Sequence, residues 1–200
     1  MIRPHRAAPP LALVVLLVAL PGCRQLAETL RRPATASPAD LFQTDLIARS
    51  VREVESRVGA PLRVLDLQAE NGSLRIQVQD PAKPANVDQY ELRDGRISGP
   101  APVQLLGPGD LEASLFPMAA VDLAGIPEFA REALAKLAIP DAQVTSLRIR
   151  VDDPPGAIRK RLHGEAAPPR IIVRLYADSA RKKGMVDADA GFAILNSIVF

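Results

Sequence analysis

The chain has 200 residues, 24% of them charged, and a formal net charge of +2 at pH 7. Arg3 and Arg6 supply that excess, since the sequence after residue 22 holds 23 basic and 23 acidic residues, and this balance argues against nucleic acid as a partner. The only cysteine is Cys23, which excludes a disulfide within the chain.

An apolar stretch of ten residues, Leu11 to Leu20, follows the two early arginines and leads to Leu20-Pro21-Gly22-Cys23. A membrane-spanning helix needs about 20 apolar residues, so this stretch is too short to span. A basic start, a short apolar core and a small residue before the cleavage point are typical of a secretory signal. An ordinary cleaved signal with a buried thiol is the alternative, but Gly22 and Leu20 suit that cleavage poorly.

The stretch resembles a bacterial lipoprotein signal peptide ending in a lipobox. The resemblance implies that residues 1–22 are removed and that Cys23 becomes the first mature residue, carrying acyl chains such as palmitate. Two or three acyl chains would hold the protein stably at a membrane, whereas one chain holds it only marginally. The residue after Cys23 is Arg24, not Asp, and in Gram-negative lipoproteins this difference favours the outer membrane, facing the periplasm.

Residues 23–40 are rich in Ala, Pro, Ser and Thr and are predicted to form a lipidated N-terminus and a flexible tether. A helix follows, because Ile47, Val51, Val54 and Val58 recur every three or four residues until Gly59 and Pro61 end the pattern. Extended segments with tight turns at Asn71-Gly72 and Asp94-Gly95 come next. We predict strands at residues 62–69, 74–78, 87–93 and 96–98. The order indicates a first helix-plus-antiparallel-sheet unit, αβββ, over residues 41–104.

The second half repeats this order, with Ile47, Arg52-Glu53 and Pro61 matched by Ile126, Arg131-Glu132 and Pro140 at one constant offset. Both helices are also preceded by a Leu-Phe pair, Leu41-Phe42 and Leu115-Phe116. Strands are predicted at residues 144–151, 170–176, 185–188 and 192–195. The sequence therefore predicts an α+β protein of two tandem αβββ units, 41–104 and 105–200. Shared spacing between two amphipathic helices is the alternative to true duplication.

The helix, short strands and glycine turns over residues 41–195 resemble the tandem αβββ units of PepSY-like periplasmic lipoprotein domains. This resemblance implies a periplasmic lipoprotein built from two small αβββ units.

Two basic segments are the candidate partner-binding residues. The first predicted unit joins its first two strands by the short Asn71-Gly72 turn, whereas the second unit uses the long loop 152–169. Long loops in compact domains are often functional. The candidates are Arg159, Lys160, Arg161 and His163 in that loop, with Arg181, Lys182 and Lys183 in the next connection. They suit an acidic protein, lipid headgroups or a cell-wall polymer, and a solvated mobile loop is the plain alternative. In a meander the two segments lie at opposite ends of the middle strand.

Residues suited to catalysis are sparse. His163 is the only histidine after the signal, so no zinc site, no cofactor site and no serine triad is predicted. Ser179 and Lys182 match S-x-x-K, but the companion motifs are missing. We therefore predict a non-enzymatic, membrane-anchored lipoprotein of the bacterial envelope that binds an envelope protein or cell-wall component as an accessory, assembly or inhibitory factor. The alternative is a periplasm-facing hydrolase or ligand-processing enzyme that uses His163.

Overall fold

The structure, a computed structural model, describes residues 38–70, 72–105, 110–152 and 168–200. The helices in these residues are α1 (Pro38–Gln43), α2 (Leu46–Val58), α3 (Leu111–Ser114) and α4 (Ile126–Leu137), with 3-10 turns at Met118–Ala120 and Leu123–Gly125. The strands are β1 (Arg63–Glu70), β2 (Ser73–Gln79), β3 (Val87–Arg93), β4 (Arg96–Pro102), β5 (Phe116–Pro117), β6 (Gln143–Asp152), β7 (Arg170–Asp178), β8 (Lys183–Ala188) and β9 (Ile194–Val199).

Helix α2 lies where the apolar periodicity predicts it. Ile47, Val51 and Val54 are buried together, because residues three and four positions apart share one side of a helix. The helix ends at Gly59, whose φ of 102° is rarely adopted by residues with a side chain.

Helix α4 is the counterpart of α2 in the second half. Pro127 lies in its first turn. The N–H groups of a first turn have no acceptor within the helix, so proline, which lacks an N–H, loses no hydrogen bond there. The helix ends at Ala138, which adopts a left-handed φ of 51° and donates its N–H to the Leu134 carbonyl at 3.1 Å. Its buried residues are Ile126, Phe129, Ala130, Ala133 and Leu137.

The strands form one antiparallel sheet in the order β4-β3-β2-β1-β6-β7-β8-β9, with β5 paired to β1 outside this path. Its centre is the pairing of β1 with β6, where Leu67 is opposite Ile149 and Ala69 is opposite Leu147. None of these four side chains has measurable exposure. The first strand of each half thus lies in the middle of the sheet.

The core lies between the helices and one face of the sheet. Alternate strand residues, such as Ile76 in β2 and Val173 in β7, join the buried faces of α2 and α4 in a single hydrophobic cluster. Helix α4 packs closely on strand β8 at Gly184, since a β carbon added to Gly184 would lie 2.7 Å from Leu137 Cδ2. We call the opposite side of the sheet the second face.

The two predicted units are not separate in the structure. The described residues fall into one compact unit, and strands from both halves share the sheet. Each half contributes four strands to the path, which agrees with the four strands predicted in each half but not with the αβββ description, which counted three. The α+β class with an antiparallel sheet is confirmed, and duplication remains a prediction from the sequence.

Three local expectations differ from the structure. Residues 38–40, assigned to the tether, belong to α1, whose Leu41 and Phe42 are buried in the core. The matching pair Leu115-Phe116 lies beside or within β5, so the two Leu-Phe pairs are not equivalent. The last strand begins at Ile194, not at residue 192. Asp189 accepts N–H bonds from Gly191 and Ala193, and the Phe192 ring stacks on Phe129 at 4.9 Å.

We expect Leu147→Ala to lower the free energy of unfolding by about 2–5 kcal/mol, because it leaves a cavity on the core side of the β1–β6 seam, where Leu147 is fully buried. Urea unfolding followed by circular dichroism measures this change. Ser98→Ala on exposed β4 is the control; it removes only an exposed 3.3 Å hydrogen bond to the Glu91 carbonyl and should change stability by less than about 0.5 kcal/mol. Equal effects of the two substitutions would contradict the central role of this seam.

Candidate binding surfaces

The sequence-predicted site residues divide between described and undescribed parts of the chain. Cys23, the 153–167 part of the long loop, and within it Arg159, Lys160, Arg161 and His163, lie outside the described residues. Arg181, Lys182 and Lys183 are described, and they form an exposed group that we call the basic corner.

The basic corner lies in the hairpin between β7 and β8. Ser179 holds this turn, since its Oγ accepts the Lys182 N–H at 3.2 Å and its own N–H bonds to the Lys182 carbonyl at 2.8 Å. Lys183 Nζ lies 3.3 Å from Asp178 Oδ2, while the Lys183 backbone exchanges two hydrogen bonds with Phe200, at 3.0 and 2.9 Å. The S-x-x-K match is therefore a turn, and the basic corner adjoins the end of strand β9.

Strand β9 is one edge of the described sheet. Residues 192–200, FAILNSIVF, contain no charged residue and no proline. Their apolar side chains are exposed towards the end, at 43% for Ile198, 46% for Val199 and 62% for Phe200. An uncharged edge of this kind offers unpaired backbone groups to another strand.

The hydrogen-bond alternation shows which backbone groups of β9 are outward. Phe200 forms the doubly bonded pair with Lys183, and Ile198 and Asn196 follow at two-residue intervals opposite Met185 and Asp187. In an antiparallel ladder the intervening residues direct their N–H and C=O groups away from that partner. Ser197 and Val199 therefore present their backbone groups outward, away from β8.

Strand β4, at the other edge of the sheet, has the opposite character. It contains Gly99, Pro100 and Pro102, and its register with β3 is irregular between Gln89 and Glu91. Prolines and bulges at an edge prevent the regular addition of another strand. Of the two edges, β9 is thus the one suited to pairing.

The second face of the sheet carries a continuous polar row across eight strands. In cross-strand register from β4 to β9 its members are Ser98, Glu91, Arg75, Gln68, Arg148, Arg174, Asp187 and Asn196. Arg148 and Arg174 are directly opposite each other, and like charges in that position repel.

Carboxylates around these two arginines compensate their charge. Arg148 Nε donates to Asp66 Oδ1 at 2.6 Å. Arg174 donates to both oxygens of Asp187, at 2.6 and 3.3 Å, and lies 3.9 Å from Asp152. Asp187 is only 1% exposed. The hydrogen bond to Asp187 raises the pKa of Arg174 above its ordinary value.

An apolar groove lies on the helix side, between α1, α4 and the start of β6. Its volume is about 430 Å³. Its lining residues are Phe42, Gln43, Pro127, Ala130, Arg131, Leu134, Ala142, Gln143 and Val144. Arg131 is paired with Glu128 at its rim. The groove offers apolar contact.

In the described ranges, no group of three or more His, Cys, Asp or Glu side chains is placed to hold a metal ion. No helix in those ranges combines the length and apolarity needed to cross a bilayer.

Comparisons with known proteins give one distant structural likeness. No protein family matches the sequence, and no curated protein matches it. A crystal structure described as a "putative lipoprotein" from Clostridium difficile 630 is similar to 77% of this chain and 92% of its own, with 13% identity and a TM-score of 0.47.

Sequence reasoning found the basic corner and missed the edge strand beside it. The sequence carries a signal for it in FAILNSIVF, which is the longest run after residue 22 that lacks charged residues, proline and glycine. Its importance depends on β9 being at an edge, which the order of strands along the chain does not reveal.

We expect Asp187→Asn to destabilise the fold by about 1–3 kcal/mol, because Arg174 would lose the charge on its closest buried partner. Denaturant titration at neutral pH measures the loss. Asp178→Asn is the matched control: its partner Lys183 is well exposed, so the change should stay below about 1 kcal/mol. If Asp187→Asn lowers the free energy of unfolding no more than Asp178→Asn does, the Arg174–Asp187 pair stabilises the fold no more than an exposed ion pair.

Proposed function

We propose that this protein is a membrane-anchored lipoprotein of the bacterial envelope that acts by binding, not by catalysis, and that it binds by accepting an extended strand at β9. The uncharged, proline-free edge of β9 is the observation that carries the proposal. Strand addition uses backbone hydrogen bonds for affinity and side chains for selection.

The backbone geometry of β9 supports this mode of binding. Ser197 and Val199 direct their N–H and C=O groups outward, while Ile198 holds the strand to β8. A partner strand would therefore meet a fixed template. The neighbouring sheet supports that template, because β8 itself is paired along its whole length with β7.

Side chains around the edge define the kind of segment that fits. Ile198 and Phe200 offer apolar contact on the second face. The basic corner beside Phe200 favours acidic groups at that end of the seam. An extended segment with apolar residues and an acidic end matches this surface.

The anchor is supported by the signal sequence. The basic start, the ten-residue apolar core and the Leu-Pro-Gly-Cys ending remain those of a lipoprotein signal, and Arg24 favours the outer membrane with the protein facing the periplasm. Binding at β9 would then take place at a membrane surface.

We expect Val199→Pro to abolish strand addition while preserving the fold. The Val199 N–H is outward, so its loss removes a bond to the incoming strand and none to β8. The measurement places a photo-crosslinking phenylalanine analogue at position 200 in full-length protein in cells. The adducts formed there should disappear in the Val199→Pro background. The same analogue at Ser98 on β4 is the matched control and should give no discrete adduct.

A second proline variant separates binding from folding. Ile198→Pro removes an N–H that bonds to β8, so it should lower the thermal midpoint, whereas Val199→Pro should leave the midpoint nearly unchanged. Adducts at position 200 that persist unchanged in Val199→Pro would refute strand addition at β9.

We expect Cys23→Ser to release the protein from the membrane fraction, because the thioether-linked acyl chains would no longer form. Fractionation of cells followed by immunoblotting measures this. Ser37→Ala is a control that leaves the cysteine in place and should stay with the membrane. A Cys23→Ser chain that remains membrane-bound at high salt would contradict the lipid anchor.

A further inference from the structure

We infer that the strand accepted by β9 is β9 of a second copy of this chain, so that the protein forms a two-fold symmetric dimer with one sheet continuous across the seam. This inference rests on the proposed strand addition and names its partner. Closed two-fold dimers use the same patch on both subunits, which requires a patch that is complementary to itself.

The backbone of β9 meets that requirement in an antiparallel register centred on Ser197. Outward backbone groups must meet outward groups, and Ser197 and Val199 carry them. Centring on Ser197 pairs it with Ser197 of the second copy and sets Asn196 opposite Ile198. Both serines are small, and paired hydroxyl side chains are favourable across antiparallel strands.

Charge also favours self-pairing. Residues 192–200 have no charged side chain, so no like-charged side chains face each other along the seam when the strand meets itself.

The two ends of β9 carry opposite charge. The basic corner adjoins Phe200 at one end. At the other end, Asp189 forms the turn before the strand. Asp122 lies close to that turn, because Asp122 and Phe192 both lie next to Gly125. A β carbon added to Gly125 would be 3.2 Å from Asp122 Oδ2 and 3.1 Å from the Phe192 ring.

An antiparallel arrangement brings these ends together. The basic corner of each copy lies at the same end of the seam as Asp122 and Asp189 of the other. A parallel arrangement would place basic beside basic. Charge complementarity of this type orients partners during association and disfavours the wrong alignment.

The experiment crosslinks thiols at the symmetry axis. Directly opposite residues in a doubly hydrogen-bonded pair have Cα and Cβ atoms about 5.5 Å apart, which is wide for a disulfide but within the reach of a short thiol-to-thiol crosslinker such as a bis-methanethiosulfonate. Full-length Ser197→Cys in isolated membranes should therefore give a homodimer band with such a crosslinker. The unchanged chain shows what Cys23 contributes, and Ser98→Cys on β4 is the matched edge control; neither should give this band.

Adding Val199→Pro to Ser197→Cys should remove most of the band, since the added proline blocks strand pairing but leaves the thiol in place. A Ser197→Cys band no stronger than that of Ser98→Cys overturns the self-pairing inference. If photo-adducts at position 200 still depend on Val199 in that case, strand addition stands with a different partner. If the photo-adducts at position 200 do not depend on Val199 either, both self-pairing and strand addition at β9 are refuted.

Discussion

The pairing of β1 with β6 is the constraint on which the rest of the structure depends. It joins residues 82 and 78 positions apart in the chain, Leu67 with Ile149 and Ala69 with Leu147, and these core-facing residues of the seam are fully buried. Because this seam is in the middle, the remaining strands of each half must be added outward from it. The positions of both edges, β4 and β9, follow from that arrangement.

The two edges then differ because their sequences differ. In β4, Pro100 and Pro102 remove N–H groups and Gly99 adopts a φ of 117°, so the strand cannot continue the regular ladder outward. In β9 no residue performs this protective role. Natural sheets usually protect both edges against unintended pairing. A sheet with one protected and one unprotected edge is what the proposed strand addition at β9 would require.

The sequence predicts those elements whose signals are local. The periodicity of Ile47, Val51 and Val54 places α2, and the Asp94-Gly95 turn places the hairpin of β3 and β4. It does not predict the β1–β6 pairing, because antiparallel strands far apart in the chain carry no local mark of their partner. The predicted start of the last strand, residue 192, differs from the observed start of β9, Ile194, for a related reason. Phe192 continues the apolar pattern of the strand but stacks on Phe129 of a distant helix. Of the candidate site, the basic corner was visible as a charge run, whereas the edge required the strand order.

The proposed membrane anchoring and the proposed strand pairing would reinforce each other physically. A two-strand seam of about five residues gives only a few backbone hydrogen bonds, each with a net contribution of about 1 kcal/mol, so it is weak between molecules in free solution. Confinement to one membrane surface raises the effective concentration of each copy near the other, and a weak contact then becomes populated. The proposed dimer would in turn carry two lipidated cysteines, so both would have to leave the bilayer before the assembly is released. The proposed lipid at Cys23 and the proposed pairing at β9 therefore depend on each other, because the membrane would supply the proximity that the short seam lacks.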